Sequence, residues 1–376
     1  MPYPLPQELT NKILSQLPDN SRQFQNYSLV APSWVYPSQK RLLKSVQCPL
    51  GEFQSLLRNI PGEKLKFIHQ LTCEGERFFE PLSYHPGELN ALRDLSQLRH
   101  LKCIWTYFLP SSQNVVFFSA FQDTLSAITL SHCDVSISGL ATVINYFKNL
   151  KSLYLESLLI QHSEQTALSL RTLEKLSIGT GSPGLPYVLS NLSRMGLRFD
   201  EVAFKCASYT DSTRALSIFG ASVRRVRLLN TWAKGMCDPL CSYCVWTPGH
   251  NTLTGLTLLS CLRLSELEFW MMQHPSYKEE LELVLSIESK NIEKIIIMCS
   301  GEYLLPQVKN DFWEKFGNTL TELFKKLGLG NKLELELRGE WNDVLGNGAN
   351  RIWESHLDIY RVTVWDVQNN LIYSSD

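Results

Sequence analysis

Apolar residues follow two different periods along this chain. Near the N-terminus Leu9, Ile13 and Leu17 recur every four residues, which predicts an amphipathic helix. From residue 68 onward a second pattern, apolar-x-x-apolar-x-apolar, repeats with steps of 23 to 30 residues, apart from one step of 41. It begins at Ile68, Leu98, Leu125, Leu150, Leu173, Phe199, Val223, Leu264 and Ile292. The chain therefore divides into a short helical head and a long repeating region.

Each repeat predicts one strand followed by one helix. The alternating apolar positions of the motif face one side of a strand. Apolar stretches of helical length follow at 137–147, 185–192, 281–287 and 312–327, while 46–48, 333–337 and 362–365 predict further strands. The long step holds an insertion at 231–252. The segment 253–262 could be a strand or a helix, and its nearness to Leu264 favours a helix. Because no single repeat buries its own apolar face, we expect an α/β solenoid, with strands on the concave face and helices on the convex face.

The head, residues 4–45, predicts three short helices. Pro6 suits a first helical turn, and Pro18 ends that helix. A second helix reaches Leu29 and Val30 before Pro32 ends it, and a third begins at Pro37. So short a segment cannot bury Trp34 and every leucine internally. Either a partner covers this apolar surface, or the head is a helical cap on the region that follows.

The order and spacing of these apolar residues resemble the F-box motif. The resemblance rests on Leu5, Pro6, Leu9, Ile13, Leu14, Leu17, Leu29, Val30 and Trp34. It implies that these residues bind a Skp-type adaptor and, through it, a cullin. The repeat period of the rest of the chain is typical of leucine-rich repeats. The whole chain thus resembles F-box proteins with leucine-rich repeats, a class abundant in fungi, with an F-box at 1–45 and repeats at 46–376.

This resemblance implies a non-enzymatic subunit of a Skp–cullin–F-box ubiquitin ligase that recruits a protein substrate through its repeats. Strand residues on the concave face would bind that substrate, and the predicted contacts are Tyr154, Lys205, Arg227 and Trp270. Loops could instead cover some of these positions. Two other functions are a protein-interaction scaffold without ubiquitin transfer, and a metal-binding enzyme.

The enzyme alternative depends on one cysteine cluster. Cys237, Cys241, Cys244 and His250 have a spacing that could hold zinc or an iron–sulfur cluster, although three unrelated thiols explain it better. The stretch 179–184 matches G-x-G-x-x-G, but Pro183 removes a backbone N–H that phosphate binding needs, which favours a turn. We therefore predict no catalytic residues and no cofactor.

The composition limits which binding partners and which cellular compartment are expected. The 376 residues carry a net charge of −1, which gives no field to attract nucleic acid or an anionic membrane. The N-terminus lacks a basic leader followed by an apolar run, and no apolar stretch reaches the length of a membrane span. Ten scattered cysteines are typical of reduced thiols. These features predict a cytoplasmic or nuclear protein.

Overall fold

The computed structural model describes most of the predicted repeats. The described residues are 8–9, 12–13, 32–49, 52–75, 86–105, 107–108, 118–161, 171–179, 184–205, 209–229, 256–270, 278–299, 306–329, 333–339, 360–365 and 371–374. They belong to two compact units. Unit 1 comprises 1–154 and 158–167, and unit 2 comprises 155–157 and 168–376.

Unit 1 is an α/β unit whose main strands run parallel. Its helices are α1 (Pro32–Leu42), α2 (Phe53–Asn59), α3 (Gly62–Leu65), α4 (Pro86–Asp94) and α5 (Ile137–Tyr146). Its main strands are β1 (Ser45–Pro49), β2 (Gln70–Glu74), β3 (His100–Ile104), β5 (Ala127–Ser131) and β7 (Ser152–Glu156), and the unit division passes through β7. They follow the order β1-β2-β3-β5-β7. A second parallel sheet joins β4 (Tyr107–Phe108), β6 (Asp134–Ser136) and β8 (Leu159–Gln161).

Unit 2 continues the same alternation of strand and helix. Its strands are β9 (Thr172–Ile178), β10 (Arg198–Lys205), β11 (Arg225–Leu229), β12 (Glu266–Trp270), β13 (Lys294–Cys299), β14 (Leu333–Gly339), β15 (Tyr360–Trp365) and β16 (Leu371–Ser374). From β9 to β15 they form a long all-parallel run, and β16 adds an antiparallel edge. The helices are α6 (Leu185–Arg194), α7 (Tyr209–Phe219), α8 (Lys278–Leu285) and α9 (Pro306–Leu327).

The repeated apolar motif accounts for these strands. Its members lie in register on neighbouring strands and form buried rows, one of which joins Leu176, Val202, Val226, Leu267, Ile295 and Leu335. Every side chain in that row is fully buried. Burying one such side chain contributes about 2 kcal/mol to folding. The predicted strands, including the three outlying ones near residues 46, 333 and 362, are therefore confirmed as parallel strands.

A left-handed residue ends several strands of unit 1. Gly75 follows β2 with φ 136°, Trp105 follows β3 with φ 55°, and His132 follows β5 with φ 53°. After the latter two residues the chain turns into the short strands β4 and β6. Next to this corner the Cys133 thiol lies 3.3 Å from the backbone oxygen of Cys103, to which it donates a hydrogen bond. The pattern apolar-x-x-apolar-x-apolar thus extends through a corner into a second short strand.

The structure describes the helical head only in part. Of residues 1–31, the structure describes 8–9 and 12–13, which have helical backbone, so a separate helical domain is not evident. The third helix was predicted to begin at Pro37, which is wrong, because α1 begins at Pro32 and contains Pro37. Pro32 suits the first turn of α1 because its missing N–H needs no partner there. The domain boundary at residue 45 stays a prediction.

Other differences concern single elements. The predicted helix at 253–262 is wrong for its described part, 256–262, which contains turns and no helix. Leu258 is fully buried whereas Leu259 is 53% exposed, and the backbone N–H of Leu258 donates to Ser286 Oγ at 2.8 Å. This tertiary hydrogen bond replaces a helical one. Helix α9 begins at Pro306, ahead of its predicted start at 312.

Candidate functional site

The polar face of unit 2 carries charges that alternate from strand to strand. We define this polar face as the strand side chains opposite the buried apolar rows. The first row on this face is Lys175, Glu201, Arg225, Glu266, Lys294, Glu334 and Arg361, all in register. Positive and negative side chains therefore face each other across seven strands. Opposite charges at directly paired positions stabilise a sheet, and like charges there destabilise it.

Glu201 is the centre of the first cluster on this face. Its side chain is 7% exposed and its Oε1 lies 2.7 Å from Lys175 Nζ. Two arginines lie on its other side, with Arg225 Nε 3.6 Å from Oε2 and Arg227 Nη1 3.7 Å from Oε1. One buried carboxylate thus neutralises cations from both neighbouring strands.

Arg227 also binds a second buried carboxylate. Its Nε and Nη2 donate to the two oxygens of Glu268 at 2.7 Å and 3.1 Å, which is a bidentate pair. The Glu268 side chain is 4% exposed. Burial lowers the pKa of Arg227, but the hydrogen bonds and charge of Glu268, with the charges of Glu201 and Glu266, raise the pKa overall. Arg227 is therefore held in one orientation by its own chain.

A third cluster surrounds Glu336 on β14. Lys294 forms ion pairs with Glu336 and, at 2.9 Å, with Glu334, while Arg338 Nε donates to Glu336 at 2.6 Å. Burial raises the pKa of Glu336, but the hydrogen bonds of Arg338 and Lys294 and their charges lower it overall. Like Glu201 and Glu268, Glu336 is buried, whereas the cations around it are partly exposed. We call these clusters together the charge ladder.

The charge ladder changes the interpretation of the predicted substrate contacts in unit 2. Arg227 lies on the polar face as the alternation predicts, but its donors are engaged by carboxylates of the chain itself. Lys205 is exposed at the end of β10. Trp270 ends β12 in register with Met298, and its side chain lies outside the described part of the structure. The outward positions Glu268 and Glu336 are buried rather than exposed.

The polar face of unit 1 is built mainly from uncharged side chains. Tyr154, the predicted contact in this unit, is half-buried, and its ring centroid lies 6.1 Å from that of His100. His100 Nε2 lies 2.7 Å from Thr129 Oγ1, within hydrogen-bond distance. Burial, and then the charge of Lys102, lower the pKa of His100, so its neutral form is favoured. Tyr154 therefore stands beside a polar network with little charge.

Two of the predicted adaptor contacts are exposed apolar side chains. Leu9 is 48% exposed and Ile13 is 41% exposed, one helical turn apart. Trp34 lies in α1 and is half-buried. The remaining six, Leu5, Pro6, Leu14, Leu17, Leu29 and Val30, lie outside the described residues.

The candidate metal ligands also lie outside the described part of the chain. These are Cys237, Cys241, Cys244 and His250. Among the residues that the structure does describe, no three His, Cys, Asp or Glu side chains are placed to hold a metal ion. Cys48, Cys73, Cys103, Cys133 and Cys261 are buried and form no disulfide. Burial raises the pKa of the Cys261 thiol to about 11, which makes it a poor ligand and nucleophile at neutral pH.

Gly179, the first residue of the glycine-rich stretch, has a structural role. A Cβ at this position would lie 2.8 Å from Cγ of Glu156, closer than real contacts allow. The backbone N–H of Gly179 donates to the oxygen of Leu155 at 2.8 Å. This glycine is therefore needed for a close approach of chain segments, and its N–H is not available to a phosphate.

The charge ladder could have been found from the sequence by aligning the strands on their apolar motif. From β9 to β13, the residue immediately before the second apolar position of each motif then alternates in sign. What the alignment leaves open is which carboxylates are buried. That depends on how closely the neighbouring cations cover them.

Comparisons with known proteins identify no family. No family model matches the chain, and the search of curated proteins also gave no match. Across the helices that the structure describes, none combines the length and apolar character needed to cross a bilayer.

Proposed function

We propose that this protein is the substrate-recruiting subunit of a Skp–cullin–F-box ubiquitin ligase. In this proposal the head binds a Skp-type adaptor, the repeats bind a protein substrate, and other subunits carry out the chemistry. The protein would contribute proximity, which raises the effective concentration of the substrate. The proposed repeats are leucine-rich repeats, and Cys133 stands where their consensus has asparagine or cysteine.

The exposure of Leu9 and Ile13 carries the adaptor part of this proposal. Two large apolar side chains one turn apart form a helix face that an amphipathic partner surface would bury. Isolated exposed leucines are ordinary on protein surfaces, so the argument depends on their joint position within the F-box-like spacing.

The test compares adaptor binding by full-length wild type and the double variant Leu9→Ala/Ile13→Ala, measured by calorimetry. Losing both contacts should weaken binding by about 2 kcal/mol or more, which is roughly thirtyfold. Because both side chains are exposed, the variant should unfold at the same urea concentration as wild type. Leu259→Ala, at an exposed leucine far along the chain, is the matched control and should bind normally. Equal affinity for the double variant would reject adaptor docking through this face.

Affinity purification from cells separates ubiquitin ligation from the scaffold alternative. A cullin should copurify with wild type and be lost with the double variant. If the adaptor copurifies without a cullin, the scaffold alternative would be favoured.

Hydrogen exchange tests where the substrate binds. Substrate binding should slow the exchange of backbone amides at Tyr154 and Lys205. Protection confined to the helices would reject the polar faces as the binding surface.

A further inference from the structure

Basic side chains gather where the first parallel strands of unit 1 begin. Lys44 comes directly before β1 and Arg99 directly before β3, and both are exposed. His69, which is half-buried, lies directly before β2, the strand between them. Lys40 is exposed in the last turn of α1. None of these four residues belongs to the predicted adaptor or substrate contacts.

Backbone hydrogen bonds place the strand residues of this group in one row. The N–H of His69 donates to the oxygen of Lys44 at 2.9 Å, and the N–H of Arg99 donates to the oxygen of His69 at 2.8 Å. Through Ser126 the row continues to Lys151, which is also exposed. Neighbouring strands lie about 4.8 Å apart, so the row is about 19 Å long.

Helix α1 lies beside this row and contributes Lys40. One helical turn before Lys40, the ring of Tyr36 packs edge-on against the ring of Phe67, with centroids 5.3 Å apart. Phe67 lies in the connection that enters β2, two residues before His69. The last turn of α1 therefore ends next to the start of β2.

The positive charges around His69 lack a nearby counter-charge. Burial lowers the pKa of His69, and it is lowered further by three cations, Lys44, Arg99 and Lys40. Every charge that shifts this pKa is therefore positive. Among the residues that the structure describes, none of the three cations forms an ion pair. The cations of the charge ladder in unit 2, by contrast, each pair with a carboxylate.

The guanidinium of Arg99 is oriented by the chain itself. Its Nη1 donates to the backbone oxygen of Thr124 at 3.1 Å. A guanidinium has five N–H donors, so this hydrogen bond fixes its direction and leaves donors for a ligand. Holding the side chain in place before binding reduces the entropy that binding costs.

The chain around the row leaves these cations at the surface. The structure describes every connection that enters these strands, at 43–44, 66–69, 95–99, 121–126 and 147–151. None of these connections covers Lys44 or Arg99, which are exposed beside them. A ligand can therefore reach the row.

We propose that this cluster binds an acidic segment of a protein partner, and we call it the basic edge: Lys40, Lys44, His69 and Arg99. An extended segment of six residues is about 20 Å long, which matches the row, and carries every second side chain on the same side. Its carboxylates would accept charge-assisted hydrogen bonds from lysine and arginine. A single-stranded nucleic acid favours aromatic side chains on which its bases stack, and the row contains no tryptophan, tyrosine or phenylalanine. The basic edge does not depend on adaptor binding or on ubiquitin transfer.

The first experiment measures peptide binding to the full-length protein by fluorescence anisotropy in about 50 mM NaCl. The probe is fluorescein-labelled Ser-Glu-Ser-Glu-Ser-Glu-Ser, and the control peptide carries glutamine instead of glutamate. We expect the glutamate peptide to bind saturably with weak affinity, and to bind several times more weakly in about 300 mM NaCl because salt screens exposed charges. The glutamine peptide should show no saturable binding.

Variants then locate the site of peptide binding. Lys44→Gln/Arg99→Gln should weaken binding of the glutamate peptide about fivefold, since it removes two charges and keeps polar side chains. The two cations repel their neighbours, so this variant should unfold at a urea concentration no lower than that of wild type. Arg263→Gln/Lys290→Gln, which removes two exposed cations of unit 2, is the matched control and should bind the peptide normally.

The second experiment follows His69 by NMR of protein that carries ¹³C-labelled histidine. The resonance is assigned by its absence in His69→Gln. Bound carboxylates counteract the neighbouring cations, so the pKa of His69 should rise when the glutamate peptide is added. In Lys44→Gln/Arg99→Gln the pKa should already be higher without peptide. The resonance of His132, after the opposite end of β5, should be unchanged by the peptide.

Three results would overturn the basic edge. The first is the absence of saturable binding by the glutamate peptide. The second is equal binding to wild type and Lys44→Gln/Arg99→Gln, because the peptide would then bind elsewhere. The third is tighter binding of a thymine hexanucleotide than of the glutamate peptide, which would indicate a nucleic-acid site.

Discussion

The polar face of unit 1 contains threonine, histidine, lysine and tyrosine side chains, whereas the polar face of unit 2 contains a ladder of alternating charges. The apolar rows on the opposite side of the strands are buried alike in the two units. Leu71 and Leu101 of unit 1 are as fully buried as Leu176 and Val202 of unit 2. The apolar rows alone therefore specify the parallel strands. The polar rows are free to differ, provided that each buried polar group finds a partner.

The two faces meet that condition by different means. In unit 1 a neutral pair, His100 and Thr129, share one hydrogen bond. In unit 2 three buried carboxylates each need cations from neighbouring strands. Breaking a buried ion pair leaves an uncompensated charge, whereas losing a neutral hydrogen bond has a smaller effect. Substitutions should therefore be more damaging in unit 2.

The largest effect is expected at Glu268. Glu268→Ala should lower the free energy of unfolding by about 2–3 kcal/mol, because Arg227 would keep its charge without its bidentate partner. Urea unfolding monitored by circular dichroism measures this change. Lys102→Ala, on the polar face of unit 1, should stay within about 0.5 kcal/mol of wild type.

A variant that replaces both partners of the ion pair sharpens this comparison. Replacing both partners in Arg227→Leu/Glu268→Leu should restore most of the stability lost in Glu268→Ala, since an apolar pair of similar size often equals a buried ion pair. If Glu268→Ala is no more destabilising than Lys102→Ala, the two faces do not differ in the way proposed.

The second-largest effect on stability is expected at Glu336 when the pH is lowered. Its folded pKa lies below the unfolded value of 4.5, so its contribution to stability is fully present above pH 4.5 and is lost as the pH falls through the folded pKa. Wild type should be more stable than Glu336→Gln at pH 7, and the difference should shrink below pH 4.5. Urea titrations over a series of pH values test this, and a constant difference at all pH values would contradict it.

The smallest effect is expected at His100. Its folded pKa lies below the unfolded value of 6.5, so the unfolded chain binds a proton first as the pH falls, and stability decreases below pH 6.5. His100→Gln should lose less stability over this range while keeping a donor for Thr129, and the part that remains is expected from His69, whose pKa is also lowered by burial and by the charges of Lys44, Arg99 and Lys40. Unfolding at pH 7.5 and 5.5 provides the measurement. If the variant loses as much stability as wild type over this range, His100 does not cause the decrease.

Much of the fold could be predicted because the apolar motif is local. Each main strand can be recognised from about six residues of sequence, and the register between neighbouring strands follows when their motifs are aligned. The short strands were missed since β4 and β6 have two and three residues, too few to show a period. The turns at 256–262 were missed since Leu258 is positioned by Ser286, far along the chain.

The candidate sites were only partly predictable. The sequence placed Arg227 on the polar face, but its orientation comes from Glu268, 41 residues away. The basic edge was missed, because Lys44, His69 and Arg99 become neighbours only when β1, β2 and β3 pair. Their adjacency is a consequence of register.

The sequence by itself determined where the main strands lie and which of their apolar side chains are buried, since these depend on the spacing of apolar residues. The tertiary structure decided which charges meet and which carboxylates are buried. Those properties depend on distances between strands whose paired residues are 24 or more residues apart in the chain, and no local period encodes such distances.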